Sequence, residues 1–174
     1  MKTLLLTWPD DWHLHLRDGS QLSAILPDTV ARFARALIMP NLKPPLTTVA
    51  SVLAYRARIL AAFPKGADFV PLMTLYLTET TTPAEIILAK QSGMIHGVKF
   101  YPAGATTHSE AGVQNIAQVW PVLEMMEKVD LPLLVHGEVP DADVDPFDRE
   151  QIFLERCLVP LVEKFSNLRV VLEH

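Results

Sequence analysis

"DDWHLHLRDG" (residues 10–19) sets two histidines two positions apart in a segment otherwise built like a short buried strand. Side chains of a strand alternate between its faces, so His13 and His15 point one way, and Trp12, Leu14 and Leu16 the other. Packing alone gives no reason for two imidazoles on one face of such a strand, and the spacing is that of half a metal site. What the rest of the chain places beside this strand decides both the architecture and the chemistry.

Working outward, short apolar runs alternate with longer segments of helical period, the rhythm of β/α units around a parallel sheet. The strand-like runs are "WHLHL" (12–16), "ALIMP" (36–40), "FVPLMTLYL" (69–77), "GVKFYP" (97–102), "LPLLVHG" (131–137) and "LRVVLEH" (168–174). Each is short and largely apolar, as strands covered on both faces are. Between them, "TTVASVLAYRARILAAF" (47–63) carries an apolar stripe after a threonine suited to cap it. In "TTPAEIILAKQSG" (81–93), Thr82 caps, Pro83 takes the first helical position, Glu85 completes a capping box and Gly93 ends the element. The segments 113–129 and 148–165 are amphipathic helices that Pro121 and Pro160 should kink or split.

Six strands in this order fit either an open doubly wound sheet or part of a (β/α)8 barrel. Length alone favours the open sheet, yet no glycine-rich phosphate loop follows any strand. One domain is expected over residues 1–174, since no linker divides them and 49% apolar content suffices for a core. The net charge of -5, with no basic run, argues against a nucleic-acid partner. The start "MKTLLLTWPDD" is interrupted by Pro9 and two acids before a signal segment could form, and no apolar stretch reaches the ~18 residues of a membrane span. The expected address is the cytoplasm. Cys157, the single cysteine, excludes a disulfide framework and reads as a small buried hydrophobe.

Four of the six histidines fall at or near the C-terminal ends of these runs: His13, His15, His136 and His174. That edge is the functional one in parallel α/β folds. His96 and His108 lack the pattern and read as structural. Lys99, between Val98 and Phe100, would carry an expensive unpaired charge in a buried strand. Either it snorkels to the rim, or it has reacted with carbon dioxide to give an anionic carbamate able to bridge two divalent metals.

Together, His-x-His on the first strand, lysine on the fourth and histidine on the fifth and sixth resemble the binuclear amidohydrolases, and within them the dihydroorotase family. The likeness extends through "DDWHLHLRDG", "MPNLKPPLTT", "KFYPAGATT", "LLVHGEV" and "VLEH", in the order of the shorter bacterial enzymes. The resemblance implies a TIM-type barrel, of which about the first six strands are represented here. It implies His13 and His15 on one zinc, His136 and His174 on the other, and carboxylated Lys99 bridging them, with a hydroxide between the metals as nucleophile. The implied reaction is the reversible cyclisation of N-carbamoyl-L-aspartate to dihydroorotate in pyrimidine biosynthesis.

By the same resemblance, His15, Arg17, Asn41 and His136 contact the substrate, with Arg17 and Asn41 on its carboxylate. The plain alternatives are an Arg17–Asp18 surface ion pair and a turn role for Asn41. The loop "AGATTHSEAG" (103–112) would act as a lid in which Thr106 and Thr107 bind substrate. Glu138 and Glu173 read as uninvolved, Glu173 pointing toward the helices because it precedes His174. The family's eighth strand supplies an aspartate that holds the first zinc and carries the proton, and no residue here matches it. This sequence is therefore expected to be the N-terminal part of such an enzyme, lacking strands 7 and 8 and having little or no activity alone. A homodimer is implied by the resemblance only. The competing readings are a hydantoinase- or allantoinase-like enzyme and a metal-free assembly domain.

Overall fold

The computed structural model describes residues 3–173, so the expected ligand His174 lies outside the described residues. Six strands form one all-parallel sheet: β1 (Asp10–Leu14), β2 (Arg35–Ile38), β3 (Val70–Tyr76), β4 (Ile95–Phe100), β5 (Leu133–His136) and β6 (Val170–Glu173). They pair strictly in chain order, without the reversal that marks a doubly wound sheet. In a flat sheet with strands ~4.8 Å apart, β1 and β6 would stand about 24 Å from each other. Instead His13 Nδ1 of β1 lies 3.2 Å from Glu173 Oε2 of β6. The sheet is therefore curled into a partial TIM-type barrel, and the open-sheet alternative is excluded.

The register defines the inner face. Tyr76 pairs with Lys99, Lys99 with Leu134, and His136 with Glu173, and paired residues of parallel strands share a face. Alternate residues such as Ile38, Leu75, Val98, Phe100, Leu133 and Val135 face outward into the main core, against the helices. A smaller inner cluster joins Leu37, Met39 and Leu134 to Leu72.

Among the described residues six α-helices connect the strands: α1 (Gly19–Val30), α2 (Val49–Ala61), α3 (Pro83–Gln91), α4 (Trp120–Lys128), α5 (Arg149–Phe153) and α6 (Val159–Lys164). Thr48 caps α2 in a box with Ser51, and Thr82 caps α3 through the Glu85 N–H. Glu85 does not close that box as expected. Its carboxylate instead accepts from the Val49 N–H, so one acid serves the first turn of its own helix and an open donor of the preceding helix α2. Pro121 stands in the first turn of α4, behind a 3-10 turn at Ile116–Val119, and Pro160 in the first turn of α6, behind a π turn at Leu154–Leu158. Each proline splits its segment where a missing N–H does least harm.

Two local readings need correction. The first strand runs over 10–14 rather than 12–16, because Asp10 and Asp11 already pair with Arg35 and Ala36 and the register shifts before Leu14. And α1 occupies a stretch for which the sequence offered no helix, because Pro27 interrupts its apolar stripe of Leu22, Leu26 and Val30. No helix among the described residues is long and apolar enough to cross a membrane.

Candidate active site

The C-terminal ends of the strands deliver most of the expected residues to one cavity of about 120 Å³, lined by His13, His15, Arg17, Asn41, Tyr101, Thr106, Thr107 and His136. They arrive from four separate segments. β1 supplies His13 and, one residue beyond its end, His15, whose ring centroids are 5.0 Å apart. Their Nε2 atoms approach to 3.1 Å. Two ligands of one tetrahedral zinc at ~2.0–2.1 Å are separated by about 3.3 Å, so the pair already stands near the required bite. Burial, followed by the neighbouring His13 and Arg17, lowers the His15 pKa to about 4, which keeps this imidazole neutral as a ligand must be.

Arg17 follows with φ of 59°, in the left-handed region, and Tyr55 donates its hydroxyl hydrogen to the Arg17 carbonyl. A non-glycine residue held there is strained, and the surrounding structure must enforce it. The consequence is a guanidinium turned inward, with one terminal nitrogen buried and unpartnered among the described residues. The Arg17–Asp18 ion pair considered above does not form. Asp18 caps α1 by accepting from Gly19 N and pairs with Arg58 at 2.7 and 3.1 Å.

Asn41, 3% exposed, follows β2 and donates from Nδ2 to the Thr107 carbonyl at 3.1 Å. The His108 ring meets the Asn41 carbonyl at 3.3 Å, so His108 fastens the loop to the barrel. The loop is organised around buried Ser109, whose hydroxyl accepts from Thr106 N and donates to Thr106 O. Thr106 and Thr107 are thereby presented to the cavity.

Lys99 is fully buried and does not snorkel. It pairs with Glu173, whose carboxylate also meets His13. This corrects the expectation that Glu173 faces the helices: β6 ends at Glu173, paired in register with His136, and so brings it to the inner face. The pairing gives Lys99 the charge partner that its own strand lacks. Burial lowers the Lys99 pKa while Glu173 opposes that shift. Burial alone would raise the Glu173 carboxyl, but His13 and Lys99 hold it below its ordinary value. His136 is buried at the end of β5, with Nε2 3.3 Å from Glu138.

Tyr101 was not singled out from the sequence. Its position two residues after Lys99 was the available signal, since period two returns the chain to the inner face. Its ring lies 5.2 Å from that of Tyr76 and 6.0 Å from that of His136, with Lys99 Nζ 5.0 Å from its centroid. His96 lies away from this cavity, on the wall of a larger cleft. Cys157 is half-buried in the π turn, its thiol pushed up to about 11 by burial, consistent with a packing role.

The donor set suits zinc: neutral imidazoles with a buried lysine able to become an anionic oxygen donor. Among the described residues no three His, Cys, Asp or Glu side chains are grouped closely enough to hold a metal ion. Lys99 is outside those residue types, and His174 is outside the described residues.

Residues 11–153 match the amidohydrolase family. The chain is 63% identical over 171 residues to a dihydroorotase of Cupriavidus necator, covering 98% of this chain and 50% of that one. Among solved structures it is similar to a Campylobacter jejuni dihydroorotase, with TM-score 0.86 and 42% identity over 95% of this chain and 47% of that one. It is also similar to a Saccharomyces cerevisiae dihydroorotase in complex with 5-fluoroorotic acid, with TM-score 0.85 and 37% identity over the same shares. The chain spans about half the length of the curated relatives it matches. A curled parallel sheet with polar groups at its C-terminal rim, joined to a family match over most of its length, places it: the chain belongs to the amidohydrolase family.

Proposed function

We propose that this chain forms part of a zinc-dependent dihydroorotase that interconverts N-carbamoyl-L-aspartate and dihydroorotate in the cytoplasm. The observation that carries the reading is the convergence of His13, His15, Arg17, Asn41, Thr106, Thr107 and His136 on one small cavity. His13, His15, Lys99 and His136 would hold the metal, together with His174. Bound zinc supplies Lewis acidity, which lowers the pKa of water and polarises an amide carbonyl.

The chain's own residues do the rest. Arg17 offers a planar cationic fork to the substrate carboxylate, and its unpartnered buried nitrogen gains the acceptor it lacks. Asn41 sits between that carboxylate site and the loop. Thr106 and Thr107 cover the cavity and exclude water from the reacting amide. Residues 1–174 act as one barrel domain in this reading, and assembly as a homodimer is proposed with it. No aspartate among these residues takes the part of the proton carrier, so the expected capacity of this chain by itself is binding, with little or no turnover.

Ligand binding to Arg17→Ala tests the substrate class. Dihydroorotate should bind at least tenfold more weakly to the variant, and an uncharged hydantoin equally well to both proteins. Unchanged dihydroorotate affinity would transfer the reading to a cyclic-amide hydrolase with no carboxylate requirement.

A further inference from the structure

The hydroxyl of Tyr101 is buried in the cavity wall and has no hydrogen-bond partner among the described residues, while the whole residue is only 1% exposed. Buried polar atoms are overwhelmingly satisfied, and an orphan on a residue that lines a cavity points to a ligand. The ring cannot turn elsewhere to find a partner. Tyr76 and His136 flank it, Lys99 lies 5.0 Å from its centroid, and its carbonyl is held by Val113 N at 2.9 Å. Two orphan donors therefore share this cavity: a cationic one on Arg17 and a neutral one on Tyr101. A small ring bearing a carboxylate and a neutral carbonyl satisfies both.

We propose that Tyr101 is a substrate-recognition residue whose hydroxyl donates to a ring carbonyl oxygen of the bound cyclic amide while Arg17 holds the carboxylate. The inference rests on the dihydroorotase reading and deepens it. Tyr101 tells a cyclic amide from a plain carboxylate, a distinction Arg17 cannot make.

Binding of dihydroorotate and of cyclohexanecarboxylate, which keeps the carboxylate but lacks ring carbonyls, is measured for the unaltered chain, Tyr101→Phe and Arg17→Ala. Tyr101→Phe keeps the ring and its packing, so its thermal midpoint should stay near that of the unaltered chain. It should bind dihydroorotate about five- to tenfold more weakly, the span of one neutral hydrogen bond, and cyclohexanecarboxylate unchanged. Arg17→Ala should weaken both. A second readout needs no variant: the carbon bearing the hydroxyl in isotope-labelled Tyr101 should shift with dihydroorotate and not with cyclohexanecarboxylate. Equal weakening of both ligands by Tyr101→Phe, or no weakening with an unmoved tyrosine signal, would overturn the role of Tyr101 while the Arg17 result leaves the parent reading standing. Failure of the unaltered chain to bind dihydroorotate would overturn both.

Discussion

At Lys99 burial and charge pull against each other: burial lowers its pKa, and the Glu173 carboxylate opposes that shift. A lysine with no solvent contact keeps its charge only beside a carboxylate, and the inner face of β6 supplies one. Breaking such a pair by removing one partner leaves the other charge stranded in the interior. Lys99→Met should therefore cost about 3 kcal/mol in urea unfolding of the metal-free protein. Lys99→Met combined with Glu173→Leu should recover most of that loss, since an apolar pair of similar volume has no desolvation cost to offset. His15 sets a pH dependence of definite sign. Its pKa falls from 6.5 to about 4 on folding, so between those values the unfolded chain binds the proton and the folded chain does not. Stability of the metal-free chain should fall as pH drops from 6.5 toward 4, and Glu173, also depressed, adds loss in the same direction once pH falls below its ordinary 4.5. Unfolding midpoints across that range check this, and a flat profile would contradict it. The residues with anomalous chemistry were legible in the sequence because a histidine pair or a lysine has no packing reason to stand in an apolar strand. Glu173 is not legible in this way, because alternation counted from His174 puts it on the outer face while the register with β5 puts it on the inner one. Tyr101 was passed over because an aromatic in a strand looks like ordinary core.

Among the elements, the loop between β4 and α4 owes its closure to one glycine. A Cβ at Gly112 would stand 2.3 Å from the Tyr101 carbonyl oxygen and 2.9 Å from that of Ser109, both backbone atoms that cannot swing aside. The same backbone carries the Val113-to-Tyr101 and Gly112-to-Ser109 hydrogen bonds that pin the loop ends. Gly112→Ala should open the loop and cost about 2 kcal/mol, seen as lost amide-exchange protection at Val113. Protection equal to that of the unaltered chain would contradict the account. Strand and helix positions were readable where caps and stops agree, as from Thr82 to Gly93. They were not where a proline hides a continuous helix, as Pro27 does in α1, or where a side chain leaves its own helix, as Glu85 does to serve α2. Local pattern cannot foresee a partner supplied by another element.

For the whole molecule, the succession of strands along the chain is legible but their order in the sheet and its closure are not, because curl depends on how all six strands twist together rather than on any one of them. The proposed function requires that four distant segments bring one metal-binding chemistry to one rim. Zinc titration followed by imidazole NMR tests it most directly. The ring signals of His13, His15 and His136 should shift together and saturate while those of His96 and His108 stay in place. A uniform response of all five rings, or none, would contradict it.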